Sequence, residues 1–168
     1  ALEFYGIHVE DKNTLTVFIG PPLKDSFEKY YGFSAEKATE AIQKYREYFE
    51  KSGMFENAVI PGIPEALETL KNKGYILITA TSKPERYAKI MEKFDLARYF
   101  QDICGADMEE TRVRKGDVIR YAMEKNGITE ASQAVMVGDR EHDVLGAKEC
   151  GMNCLGVLFG YGSREELK

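Results

Sequence analysis

The 168-residue sequence has no tryptophan, only two histidines (His8 and His142) and only three cysteines. It also lacks any apolar run near the ~20 residues a membrane-spanning helix needs. Its longest apolar runs, Tyr75–Ala80 and Cys154–Phe159, are strand-sized. No signal-peptide pattern is read at Ala1, so a cytoplasmic setting is expected. Cys104, Cys150 and Cys154 are odd in number and contain no CxxC pair. The C-x₃-C spacing of the last two straddles an expected helix end and the following strand. Free, buried thiols in a reducing compartment fit this better than a disulfide framework. A zinc site is not expected, because neither histidine completes a ligand set of usual spacing. There is no long Lys/Arg run, and the net charge is −5 with a pI of about 5.2. Such a chain is a poor binder of nucleic acid or membrane surface, so an anionic ligand must be held by a few local cations. GxxxxGK[ST] is absent, which argues against a P-loop. Gly160-Tyr161-Gly162 lacks the third glycine of a dinucleotide fingerprint. No serine or cysteine nucleophile is tied by any motif to His142, which reads as a surface or neighbouring group rather than a base. No internal repeat or low-complexity linker divides the chain.

What is present is an ordinary globular composition, 43% hydrophobic and 30% charged, enough for one core or one core plus a small appended unit. The texture changes near residue 57. Residues 1–57 show no strong strand signal and read as helices. Ser34 is an N-cap ahead of Ala35–Lys51, with Ala41, Ile42, Tyr45, Tyr48 and Phe49 at helical spacing. Residues 58–168 alternate short apolar runs (Tyr75–Thr81, Asp102–Gly105, Ala134–Gly138, Asn153–Phe159) with helical segments. Pro64 and Pro84 mark helix starts, and Gly74, Gly127 and Gly151 mark ends. Ser163-Arg164-Glu165-Glu166 has the pattern of a capping box opening a last helix. Strands alternating with helices predict an α/β fold whose parallel sheet is covered on both faces. Ligands of such sheets bind outside the carboxyl ends of the strands.

Three groups of residues fall at those strand ends. Gly138-Asp139 follows the third run, and Asp143 comes four residues later. Two carboxylates in such a loop suit a hard cation such as Mg²⁺, and Gly138 would permit a sharp turn. A plain helix cap at Asp139 with a solvated Asp143 accounts for the pattern equally well. Thr81-Ser82-Lys83-Pro84 ends the first run. Two hydroxyls before a proline-started helix make an anion site, although N-capping by Ser82 is the commoner use. Lys115 follows a basic cluster between these motifs. Such a lysine is usually a solvated charge, but next to a phosphate it would neutralise developing charge.

Taken in order, Thr81-Ser82-Lys83-Pro84, Lys115 and Gly138-Asp139-x₃-Asp143 resemble the second, third and fourth motifs of haloacid dehalogenase-type phosphatases. Phe18-Ile19-Gly20-Pro21-Pro22-Leu23, Tyr45-Arg46-x-Tyr48-Phe49 and Gly156–Ser163 resemble the phosphoglycolate-phosphatase-like branch, and the resemblance covers essentially the whole chain. It implies a Rossmann-like catalytic core over 58–168 with a helical cap domain over 1–57. It further implies that Thr81 binds the phosphoryl group with Ser82 and Lys83 beside it, and that Lys115 stabilises nucleophile and phosphate. Asp139 would bind Mg²⁺, with Asp143 supporting the metal site. Gly20, Pro21, Lys24 and Arg46 would face the substrate from the cap.

The sequence departs from this family at its first motif, DxDGT, whose first aspartate attacks phosphorus. No such motif occurs here. Ala1–Ile7 resembles the end of the helix that follows it, and the family's final strand and helix are not read either. The strand bearing that motif is central in the family's sheet, so the natural protein is expected to possess it. The expected function is Mg²⁺-dependent hydrolysis of a small phosphorylated metabolite (phosphoglycolate, a nucleotide or a sugar phosphate) through an aspartyl-phosphate. A phosphosugar mutase of the same fold is the alternative enzyme. A chain that truly started at Ala1 would instead be a non-catalytic module binding an anion or a protein.

Overall fold

The structure is a computed structural model that describes residues 1–109 and 111–168. The chain falls into two compact units, Ala1–Glu56 and Asn57–Lys168.

The first unit is helical. Its main elements are α1 (Leu23–Tyr31) and α2 (Ala35–Lys51). Ser34 caps α2 as its sequence suggests, its hydroxyl accepting from Lys37 N at 3.3 Å. The helix buries Ala38, Ala41, Ile42 and Phe49, the i, i+3, i+4 stripe of an amphipathic helix. Tyr48, expected on that face, is instead exposed and donates to Glu56. The core is aromatic: Phe27 stacks on Phe33 with ring centroids 5.6 Å apart, and Phe18 and Tyr5 meet them edge-on. Ala1–Ile7, expected as a helix end, forms only a 3₁₀ turn (Leu2–Tyr5), stopped by the left-handed Gly6. Leu2, Tyr5 and Ile7 still pack on this core.

The second unit alternates strand and helix: α3 (Ile63–Asn72), β1 (Ile78–Pro84), α4 (Lys89–Lys93), β2 (Asp102–Ala106), α5 (Lys115–Lys125), β3 (Val135–Gly138), α6 (Glu141–Glu149) and β4 (Asn153–Gly156). The four expected strands are present with shifted ends. Tyr75–Leu77 lies outside β1, and Tyr75 and Ile76 are exposed, although Leu77 O still accepts from Gln101 N. At the other end β1 runs on to Pro84, the residue expected to open a helix. A 3₁₀ turn (Glu85–Ala88) then precedes the five-residue α4. β4 stops at Gly156, three residues early. The last expected helix is a single turn in which Ser163 receives the backbone N–H groups of Glu166 and Leu167.

The strands pair in parallel, β1 with β2 and β3 with β4, as two separate two-stranded sheets among the described residues. Both pairs turn one face to the same helices. Ala80 of β1, Met136 of β3 and Cys154 of β4 pack against Ile119 of α5 and Ala147 of α6. Side chains alternate along a strand, so Val135, Val137 and Leu155 point the other way and are 57%, 53% and 57% exposed. The expected cover on both faces is therefore corrected for β3 and β4: the helices described here screen one side only.

At the far end of β2, Asp102 ties down the end of α5, accepting from Lys125 Nζ (3.0 Å) and Asn126 Nδ2 (3.1 Å). It also neighbours the fully buried Cys104. Burial, with the Asp102 carboxylate second, pushes the Cys104 thiol up to about 11. At pH 8 roughly one Cys104 in a thousand would be thiolate, the reactive form. Native protein treated with iodoacetamide at pH 8 should therefore leave Cys104 unmodified, and addition of urea should expose it. Peptide mass mapping reads the outcome.

Candidate active site

Three chain segments meet at the carboxyl ends of β1 and β3. Lys115, the first residue of α5, reaches back with its ammonium. It donates to the Ala80 carbonyl of β1 at 2.8 Å and lies 2.9 Å from Asp143 Oδ1 in the first turn of α6. The side chains of Lys115 and Asp143 are 10% and 8% exposed. Lys115 is thus neither a solvated surface charge nor a loose end. It joins β1 to the β3–α6 loop.

The other oxygen of Asp143, Oδ2, accepts from the backbone N–H of Asp139 (3.0 Å) and of Arg140 (3.1 Å). Arg140 is the N-cap of α6, and Asp143 completes the reciprocal half of its capping box. Gly138 ends β3, its φ is not positive, and the chain bends directly after it. Its missing side chain also matters: a Cβ there would overlap the Asp143 carboxyl group.

Asp139, just beyond β3, is half-buried. Its Oδ2 accepts from Tyr161 N at 2.7 Å, while Oδ1 has no hydrogen bond among the described residues. The two aspartates of the motif therefore differ. Asp143 is saturated by protein donors, and Asp139 keeps an oxygen available. No group of three or more His, Cys, Asp or Glu side chains suited to a metal ion occurs among the described residues.

Thr81 lies where the β1–β2 register breaks. Thr81 pairs with Gly105 and Pro84 with Ala106, so Ser82 and Lys83 are extra residues in the ladder. The Thr81 hydroxyl accepts from Lys83 N at 3.1 Å, which leaves its proton for another acceptor. The expected anion site before a proline-started helix is accordingly a bulge ending in a 3₁₀ turn. Ser82 is half-buried and Lys83 exposed. His142, within α6, is half-buried. Gly20, Pro21, Lys24 and Arg46 belong to the first unit: Gly20 and Pro21 precede α1, Lys24 is its second residue, and Arg46 lies in α2.

The Ala80 carbonyl and the Tyr161 N–H carry no recognisable sequence signal, and the capping-box pattern that marks Glu166 does not point to this site. Glu166 Oε1 accepts from Arg140 Nε (2.6 Å) and from Glu141 N (3.0 Å). Burial alone would push its carboxyl up, but these bonds and the Arg140 charge hold it below the usual range.

Breaking a buried pair by removing one partner typically costs about 3–5 kcal/mol, because the other charge stays buried. Lys115→Ala should lower stability on that scale, since Asp143 is then left with backbone donors only. Urea unfolding measures it; a change under 1 kcal/mol would show that the ammonium does not join these segments.

Residues 1–157 match the family described as haloacid dehalogenase-like hydrolase. A 5'-nucleotidase from Pseudomonas aeruginosa is 43% identical over 100% of this chain and 76% of its own length. A phosphoglycolate phosphatase from Vibrio parahaemolyticus is 28% identical over 92% of this chain and 68% of its own. The crystal structure of a predicted phosphatase from Clostridium acetobutylicum superposes with a TM-score of 0.96 at 48% identity, covering 99% of this chain and 77% of that one. The chain therefore belongs to the haloacid dehalogenase-like hydrolase family and is a phosphatase.

Proposed function

We propose that this phosphatase hydrolyses small phosphate monoesters with Mg²⁺ through an aspartyl-phosphate, with nucleoside 5'-monophosphates first among its substrates. One observation carries the reading. The Lys115 ammonium, held between Ala80 and Asp143, puts a fixed positive charge beside both the Thr81 bulge and the Asp139 loop. The preference for nucleotides rests on the relative named 5'-nucleotidase, at 43% identity, over phosphoglycolate phosphatases near 28%.

In this reading the Thr81 hydroxyl, already an acceptor for Lys83 N, donates its proton to a phosphoryl oxygen. Ser82 and Lys83 flank that oxygen in the bulge. Lys115 offsets the charge that develops on the phosphoryl group. Because its partners hold it in place beforehand, no reorganisation is needed during the reaction. Asp143 orients Lys115 and the loop, and supports the metal site without being a direct ligand. Mg²⁺ keeps much of its water and needs few protein carboxylates, so the open oxygen of Asp139 fits it. When bound, the ion supplies Lewis-acid neutralisation of the phosphate.

The attacking aspartate and the general acid are assigned to the family's first motif, carried on a strand that pairs with the open edges of β1 and β3. The first unit acts as the cap, with Gly20, Pro21, Lys24 and Arg46 toward the substrate. It keeps bulk water from the covalent intermediate.

A phosphate-release panel on the full chain tests this. Nucleoside 5'-monophosphates should be hydrolysed faster than phosphoglycolate, and EDTA should abolish turnover. Asp139→Asn should lower kcat at least about 10²-fold, the scale of losing one preorganised electrostatic partner. Near-normal turnover of Asp139→Asn at saturating Mg²⁺ would remove Asp139 from the metal site. Arg46→Ala should reorder the substrate panel; a uniform loss for every ester would contradict its place in the cap.

A further inference from the structure

The segment after β4 performs a task that its sequence does not announce. Ser163-x-x-Glu166 has the spacing of a capping box, in which the glutamate would turn back on Ser163. In the folded chain only half of that box forms, the Ser163 hydroxyl accepting from Glu166 N at 3.2 Å. The Glu166 carboxylate reaches away to the start of α6, accepting from Arg140 Nε and from Glu141 N. Both side chains of this pair are largely covered, 17% exposed for Arg140 and 22% for Glu166.

The consequence for Asp139 follows from the donors along the loop. Three consecutive backbone N–H groups, those of residues 139, 140 and 141, are taken up by two carboxylates. Asp143 takes the first two and Glu166 the third. Between β4 and Glu166 the chain passes directly over Asp139. Gly160 and Gly162 come so near that a Cβ on the first would overlap the Asp139 carboxyl and a Cβ on the second its carbonyl oxygen. Tyr161 between them donates its N–H to Asp139 Oδ2. This strap is anchored at its start by the β4 ladder, through Val157 N to Gly138 O, and at its end by Glu166.

We infer that Glu166 is a positioning residue: by fastening the strap to Arg140 and the α6 N-terminus, it fixes the Asp139 carboxylate with one oxygen held and the other presented to a divalent cation. The inference rests on the reading of Asp139 as the Mg²⁺ ligand. Without the fastening, the Tyr161 N–H is no longer held against Asp139, and the carboxylate is free to turn. Partners of this outer kind typically contribute 10- to 100-fold to metal affinity.

The test is Mg²⁺ binding to the full chain by isothermal titration calorimetry, without substrate, paired with melting in EDTA. Glu166→Ala should raise the Mg²⁺ Kd about 10-fold or more. Glu166→Gln, which keeps an acceptor for Glu141 N but loses the charge facing Arg140, should fall between Glu166→Ala and wild type. It also serves should the alanine variant fail to fold. Variants that bind Mg²⁺ with the wild-type Kd, or that lose only melting temperature, overturn the inference and leave the metal site standing. A wild-type chain that binds no Mg²⁺ overturns the metal reading of Asp139, and the inference falls with it.

Discussion

A buried ion pair between Lys115 and Asp143 constrains the site end of the second unit. Lys115 and Asp143 come from the starts of two different helices, and their contact settles where α5 and α6 begin relative to β1 and β3. A charge pair with so little exposure persists only when its remaining hydrogen-bonding capacity is met. Here Ala80 O serves the ammonium, and the N–H groups of Asp139 and Arg140 serve the carboxylate. Because those partners lie within β1 and just past β3, the requirement to satisfy the pair draws the two strands together. The electrostatic centre of the site is thereby a structural element as well as a chemical one.

The same requirement separates the two aspartates. Both follow β3 within a few residues, yet one is locked by donors and the other retains an open oxygen. An aspartate facing a lysine and two amides has little affinity left for a cation. One facing a single amide is suited to bind it. The small volume at Gly138 behind Asp143 and at Gly160 and Gly162 over Asp139 makes each arrangement sterically possible.

The sheet shows the complementary constraint. β1 and β3 each pair on one side only among the described residues, and Val135, Val137 and Leu155 face outward. Open backbone edges and apolar side chains are both unfavourable in water. The proposed strand with the first family motif answers the first of these, since it would pair with both edges and bring its carboxylates to the Lys115 end.

Much of this was legible in the residues themselves. Ser34 and the Ala41, Ile42, Phe49 stripe specified α2 because helix capping and the 3.6-residue period are local properties. The four apolar runs specified strands, and the order and spacing of Thr81, Lys115, Asp139 and Asp143 carried the family resemblance. Strand ends were less legible, since Tyr75–Leu77 is as apolar as a strand and pairing alone decides where one begins. The tertiary structure decided the rest. Nothing local shows that Asp143 is saturated while Asp139 is open, or that a bulge rather than a helix end presents Thr81. Nor does it show that Glu166 leaves its own turn for Arg140, 26 residues away. A side chain's hydrogen-bond partners are set by which segments the fold brings within about 3 Å, and that proximity is a property of packing, not of sequence spacing.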